Sequence, residues 1–144
     1  MAIAKTTEVF NCTPEEFFKI VTDFEKYHEF LPEVKSVTIT KVTPEYKEME
    51  YHVSLLKTFK YKIRATEKAF SKVEFHYTEG DVFKTMKGLW LIEPEGNDKC
   101  KVNYTVEATF GMLVPSAVAN TLVSANLPLM VSNFKARVKK IYGK

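Results

Sequence analysis

The sequence predicts an α+β domain in which a curved antiparallel sheet of about seven strands wraps one long C-terminal helix, with two short helices after the first strand. Three observations predict it. Most of residues 34–110 alternate apolar with polar side chains, the pattern of strands with one buried and one wet face. Thr13-Pro14-Glu15-Glu16 spells a helix start directly after the first strand. From Ser116 to Ile141 the apolar spacing lengthens to that of a helix.

The first strand is read over residues 3–11, entered at Ile3 and ending at Asn11. Thr13 can cap the helix that follows, Pro14 suits its first position, and Glu16 completes a capping box. Phe17, Phe18 and Val21 give that helix its apolar contacts, and Asp23 can cap a second helix through Glu25–Phe30, stopped by Pro32. Residues 34–42 form a weaker strand. In 49–55, Met49, Tyr51, Val53 and Leu55 share one face; in 59–65, Phe59, Tyr61, Ile63 and Ala65 do. Val73, Phe75 and Tyr77 share a face in 73–77, and Val102, Tyr104, Val106, Ala108 and Phe110 in 102–110. Residues 83–93 are apolar on both faces, so the pattern leaves the facing of that strand open. Pro44-Glu45, Glu79-Gly80-Asp81 and Glu95-Gly96-Asn97-Asp98 mark turns. In the final helix Leu122, Val123, Leu127, Met130, Phe134, Val138 and Ile141 fall on one side. Pro128 crowds the carbonyl of Ser124 and predicts a kink there.

The 144 residues suit one domain spanning the whole chain, and 45% hydrophobic content with 13% aromatics supplies ample core. A net charge of +3 is too mild to argue for a nucleic-acid or membrane partner, and no DNA contact is expected. Cys12 and Cys100 lie far apart and outside any Cys-x-x-Cys spacing, so neither a disulfide framework nor a zinc site is expected. The N-terminus lacks a signal-peptide run, and no stretch reaches the length of a membrane span. The expected compartment is the cytoplasm, with contact to the inner-membrane surface left open.

One long helix is too little to fill the hollow of so broad a sheet, which predicts a cavity between them. Tyr51, Tyr61, Tyr77 and Tyr104 are all read as inward, and a buried phenol needs a hydrogen-bond partner. A wet or ligand-filled pocket explains four of them better than a dry core does. The predicted sheet wall is Tyr51, Val53, Phe59, Tyr61, Ile63, Phe75, Tyr77, Tyr104, Val106 and Phe110; the predicted helix wall is Leu122, Val123, Met130 and Phe134. Trp90 reads equally as a ligand-stacking ring or a core residue.

The run Glu15 to Pro32 (EEFFKIVTDFEKYHEFLP) resembles the opening of the START-like polyketide cyclase/dehydrase and lipid-transport superfamily. Lys87-Gly88-Leu89-Trp90, then Cys100-Lys101-Val102-Asn103-Tyr104, and the ending Asn133-Phe134-Lys135-Ala136-Arg137 with Tyr142-Gly143 are similar to the branch holding coenzyme Q-binding proteins and the ribosome-association toxin. The resemblance covers nearly the whole chain. It implies the helix-grip fold and a cavity for a lipid or quinone-like ligand, bound and carried or chaperoned. Aromatase/cyclase chemistry and a ribosome-directed role are the alternatives it brings. It transfers no catalytic residue.

The residues themselves offer little chemistry. His52 and His76 face outward by strand parity, His28 lies on the second short helix, and no pair converges on a metal or catalytic centre. Ser116, Ser124 and Ser132 have no recognisable base, and no glycine-rich phosphate loop occurs, so no cofactor is expected. Glu79 could enter the cavity mouth, although the reading favoured for it is a solvated strand end beside Gly80-Asp81. Lys60, Lys62 and Arg64, with Lys57 and Lys68 nearby, could dock anionic lipid or ribosomal RNA. Interleaved Glu48, Glu50 and Glu74 favour an ordinary solvated face.

Overall fold

A computed structural model describes residues 2–55 and 57–143. Its seven strands are β1 (Ala2–Phe10), β2 (Val34–Val42), β3 (Lys47–Leu55), β4 (Lys57–Lys68), β5 (Lys72–Gly80), β6 (Phe83–Pro94) and β7 (Cys100–Phe110). All belong to one antiparallel sheet in the order β1-β7-β6-β5-β4-β3-β2. β1 and β2 are therefore opposite edges. The chain crosses from one to the other through helix α1 (Pro14–Val21) and a 3-10 helix (Phe24–Glu29).

The first helix starts as its sequence predicts. Glu16 N–H donates to Thr13 Oγ1 at 3.1 Å, and Thr13 N–H donates to Glu16 Oε1 at 2.9 Å. Phe17, Phe18, Ile20 and Val21 are buried on it. The second short helix also forms, but without the predicted side-chain cap. It is 3-10, and the Asp23 side chain makes no capping bond; the backbone carbonyl of Asp23 accepts from Lys26 N–H instead. Six residues held between α1 and the Pro32 stop leave too little chain for a settled α-helix.

The C-terminal helix is broken rather than only kinked. Helix α2 (Ser116–Asn120) runs into a π-turn over Thr121–Ala125, and α3 (Leu127–Tyr142) begins after Asn126. Pro128 lies in the first turn of α3, where a missing N–H costs least. The irregularity predicted at Ser124 takes the form of this wider π-turn, which contains Ser124. α3 is pinned toward its C-terminal end. Arg137, 8% exposed, sets Nη2 2.9 Å from Glu29 Oε1 and its guanidinium 5.0 Å from the Phe30 ring. The Arg137 bond holds the Glu29 carboxyl below its usual pKa. Tyr142 Oη donates to the Glu16 carbonyl at 3.2 Å. By contrast, α2 buries no residue and the π-turn buries only Val123.

The facing of β6 is settled by a bulge. The register with β7 slips between Phe83 and Thr85, so that Phe83 and then Met86, Trp90 and Ile92 all turn inward. Leu91 is left at 36% exposure on the outer face. Pairing of β5 with β6 ends at His76 and Lys87, so the strands part beyond that point.

Gly80 closes β5 in a conformation that needs glycine. Its φ is +139°, and a Cβ there would stand 2.4 Å from Tyr61 Cα. Gly80→Ala is expected to cost about 1–3 kcal/mol, seen as a lower urea midpoint at unchanged slope. Gly96 also has positive φ but nothing within 4 Å of an added Cβ, so Gly96→Ala should lose less.

Candidate functional site

A cavity of about 160 Å³ lies between the concave face of the sheet and the broken helix. β3 contributes Tyr51, Val53 and Leu55; β4 contributes Phe59, Tyr61 and Ile63. Phe75 comes from β5, Phe83, Met86 and Trp90 from β6, and Tyr104 and Val106 from β7. Across from them stand Leu122, Val123, Asn126, Leu127, Met130 and Phe134. Phe24 and Tyr27 of the 3-10 helix, with Leu31, Glu33 and Val34, close the side.

Of the residues predicted to form the walls, Tyr77 and Phe110 stand outside this lining. Phe83 separates both from the cavity: its ring lies 6.0 Å from Tyr77 and 5.2 Å from Phe110. It fills the gap where β5 and β6 part. Tyr77 Oη turns back and donates to the Gly80 carbonyl at 2.7 Å. Glu79 is exposed and pairs with Lys62 at 3.3 Å, as a solvated strand end would. The neighbouring Arg64 is bound to Glu48 at 2.9 Å. His28, His52 and His76 are absent from the lining.

The floor is a cluster of rings. Phe134 lies 5.1 Å from Trp90, 5.0 Å from Phe30, and 6.0 Å from both Phe17 and Tyr27. Trp90 packs on Tyr104 at 4.3 Å, so it is at once a core ring and part of the lining. The opposite wall is a stack in which Tyr51 and Tyr61 lie 11° from parallel at 5.2 Å. Phe75 lies so close over Gly88 that an added Cβ would meet its ring tip at 2.0 Å. Glycine there lets the ring lie flat on β6 instead of standing up into the space.

The polar groups are few and sorted. Tyr27 Oη donates to the Val21 carbonyl. The hydroxyls of Tyr51, Tyr61 and Tyr104 bond no protein group among the described residues. Burial pushes the pKa of all three up, helped at Tyr51 by neighbouring phenols and at Tyr61 by Tyr104 and Glu33, so they keep their protons at neutral pH. At the rim, Asn126 Nδ2 donates to Glu33 Oε2 at 2.8 Å, tying the broken helix to the segment entering β2. Both residues are half-buried, and Glu33 is the one charged residue of the lining.

Sequence reasoning missed Phe24, Tyr27, Leu31, Glu33, Val34, Leu55, Phe83, Met86, Asn126 and Leu127. Leu55 and Leu127 carried a usable signal, since each is in phase with its apolar face. The bulge hid the facing of Phe83 and Met86. Nothing in the pattern pairs Glu33 with an asparagine 93 positions away.

No cluster of three His, Cys, Asp or Glu able to hold a metal occurs among the described residues. None of the described helices is long and apolar enough to cross a membrane. The buried thiols of Cys12 and Cys100 meet beneath α1. A hydrogen bond from Cys12 is the main influence lowering the Cys100 pKa.

Comparison with known proteins agrees with this geometry. The chain is 26% identical over 132 residues to the ribosome association toxin RatA of Vibrio cholerae serotype O1, covering 90% of each protein. A START superfamily protein from Mycobacterium smegmatis superposes with a TM-score of 0.85 at 19% identity, covering 96% of this chain and 98% of that one. The Zhui aromatase/cyclase from Streptomyces sp. R1128 superposes equally well, at 0.85, with 11% identity and coverage of 99% and 97%. The superpositions show a shared fold, and the family model described as polyketide cyclase / dehydrase and lipid transport matches residues 11–135. The chain belongs to that family.

Proposed function

We propose that the protein binds a hydrophobic small molecule, lipid- or quinone-like, in the cavity and carries or chaperones it. The observation that supports this reading is a largely apolar hollow that the chain's own helix leaves unfilled. Interiors are normally packed to crystal density, and a void of this size forfeits contacts on every side. A guest restores them, with about 25 cal/mol gained per Å² of apolar surface buried. An apolar space of about 150 Å³ holds benzene, so the cavity suits one ring.

The loop between β7 and α2 supports exchange at a lipid surface. Met112 is 101% and Leu113 97% exposed. The bond from Gly111 N–H to the Val82 carbonyl places them at the end of the sheet where β3 ends and β6 begins. The cyclase reading has less support, because the lining offers one carboxylate, already bonded to Asn126, and no second ionisable acid or base beside the high-pKa phenols. The likeness to a ribosome association toxin keeps a ribosomal partner as the rival. Of the cations it would use on β4, Lys62 and Arg64 are paired with Glu79 and Glu48, whereas Lys57, Lys60 and Lys68 make no ion pair among the described residues.

Native mass spectrometry of protein made in its source organism tests the proposal. A co-purifying neutral or lipidic mass that leaves on solvent extraction is the expected result. Bare protein that also takes up no quinone or fatty acid on titration would overturn it. Co-sedimentation of ligand-free protein with ribosomal subunits would favour the rival.

A further inference from the structure

We infer that the cavity selects an uncharged, ring-sized group bearing carbonyl-type hydrogen-bond acceptors and turns away carboxylate and phosphate headgroups. This rests on the cavity being a binding site, and it goes further by naming the chemistry of the guest. The first ground is the set of phenols. Tyr51, Tyr61 and Tyr104 reach the same hollow from β3, β4 and β7, and their hydroxyls have no protein partner among the described residues. Tyr27 and Tyr77, by contrast, are satisfied by main-chain carbonyls. A hydrocarbon guest would seal three O–H donors away from water with nothing to bond. An acceptor oxygen among them removes that penalty.

The second ground is charge. Among the described residues the lining holds no Lys, Arg or His, and its one charged residue is the acidic Glu33. Arg137, buried on α3, is outside the lining and committed to Glu29. A carboxylate or phosphate drawn inside would lose its hydration without a counter-ion and would meet Glu33 as a like charge. Neutral acceptors gain from the same wall that anions cannot use. The stacked Tyr51 and Tyr61 rings add a flat face suited to a planar conjugated group.

A competition among three probes of similar length decides the point. Wild-type protein stripped of guest is mixed with equal amounts of decanophenone, decylbenzene and 4-nonylbenzoate. The protein is then desalted, and the retained probes are extracted and weighed against one another by mass spectrometry. The ketone should be retained at least tenfold over the hydrocarbon and over the carboxylate. In a Tyr51→Phe, Tyr61→Phe, Tyr104→Phe triple variant the ketone should fall to the hydrocarbon's level, with retention of the hydrocarbon unchanged. Thermal melting confirms that this variant is folded; if it is not, the wild-type competition decides alone. Equal retention of ketone and hydrocarbon, or a carboxylate held as well as the ketone, would overturn the inference while leaving the cavity as a binding site. Retention of none of the three would overturn both.

Discussion

Phe134→Ala is expected to lower the unfolding free energy by about 3–5 kcal/mol, the upper range for removing a buried ring. Phe134 is 1% exposed and in ring contact with Phe17, Tyr27, Phe30 and Trp90, from α1, the 3-10 helix, the loop before β2, and β6. It is where the helix meets the sheet and both short helices at once. Truncation also enlarges a hollow that Phe134 already borders, so the void left behind adds to the lost burial. Total stabilities of domains this size are about 5–15 kcal/mol, so the loss is a large fraction of the whole and should lower the urea midpoint clearly. Urea titration followed by Trp90 fluorescence is the measurement, since Trp90 is the single tryptophan and touches Phe134. Phe134→Leu should cost about 1–2 kcal/mol. Leu129→Ala, at a residue 55% exposed on the same helix, should stay within about 0.5 kcal/mol. Equal losses at Phe134 and Leu129 would mean that the helix is not gripped where its rings are placed.

The same cluster shows what the sequence could and could not disclose. Tyr51, Phe59, Tyr104 and Phe134 were legible because strand and helix periods fix which way a side chain points, and a run of three or four residues reports that period. The capping box at Thr13 and Glu16 was legible because its two bonds are local. Period fails where the backbone breaks it. One extra residue between Phe83 and Thr85 reverses every parity upstream of the bulge, so a simple alternation cannot place both Phe83 and Met86 inside. Tyr77 keeps the parity of Val73 and Phe75. It lies where β5 has already parted from β6, and Phe83 occupies the space it would have reached. Pro128 announced a kink at Ser124, and the π-turn includes that residue, but nothing local announced the bond from Asn126 to Glu33, a contact across 93 positions. The hollow itself was inferred from a mismatch of areas, sheet against helix; its polar rim was not, because two half-buried side chains leave no periodic trace.

Val106→Trp should do the opposite of Phe134→Ala, keeping the fold and removing the binding. Val106 faces the cavity from β7, paired with Gly88 on β6. The Phe75 ring lying over Gly88 bounds the space on that side, and the indole is somewhat larger than the single ring the space accepts. Filling a void restores dispersion contacts, and the only polar atom added is one indole N–H. Stability should therefore remain within about 1 kcal/mol of wild type or rise. Retention of co-purified guest, and of the ketone probe, should fall at least tenfold. A variant that melts like wild type and still retains its guest would show that the guest sits elsewhere. A variant that gains stability as it loses the guest would show something more specific about this chain. The wild type would then be carrying an unfilled hollow at a thermodynamic cost, which is expected of a space kept for another molecule and not of a core that is only imperfectly packed.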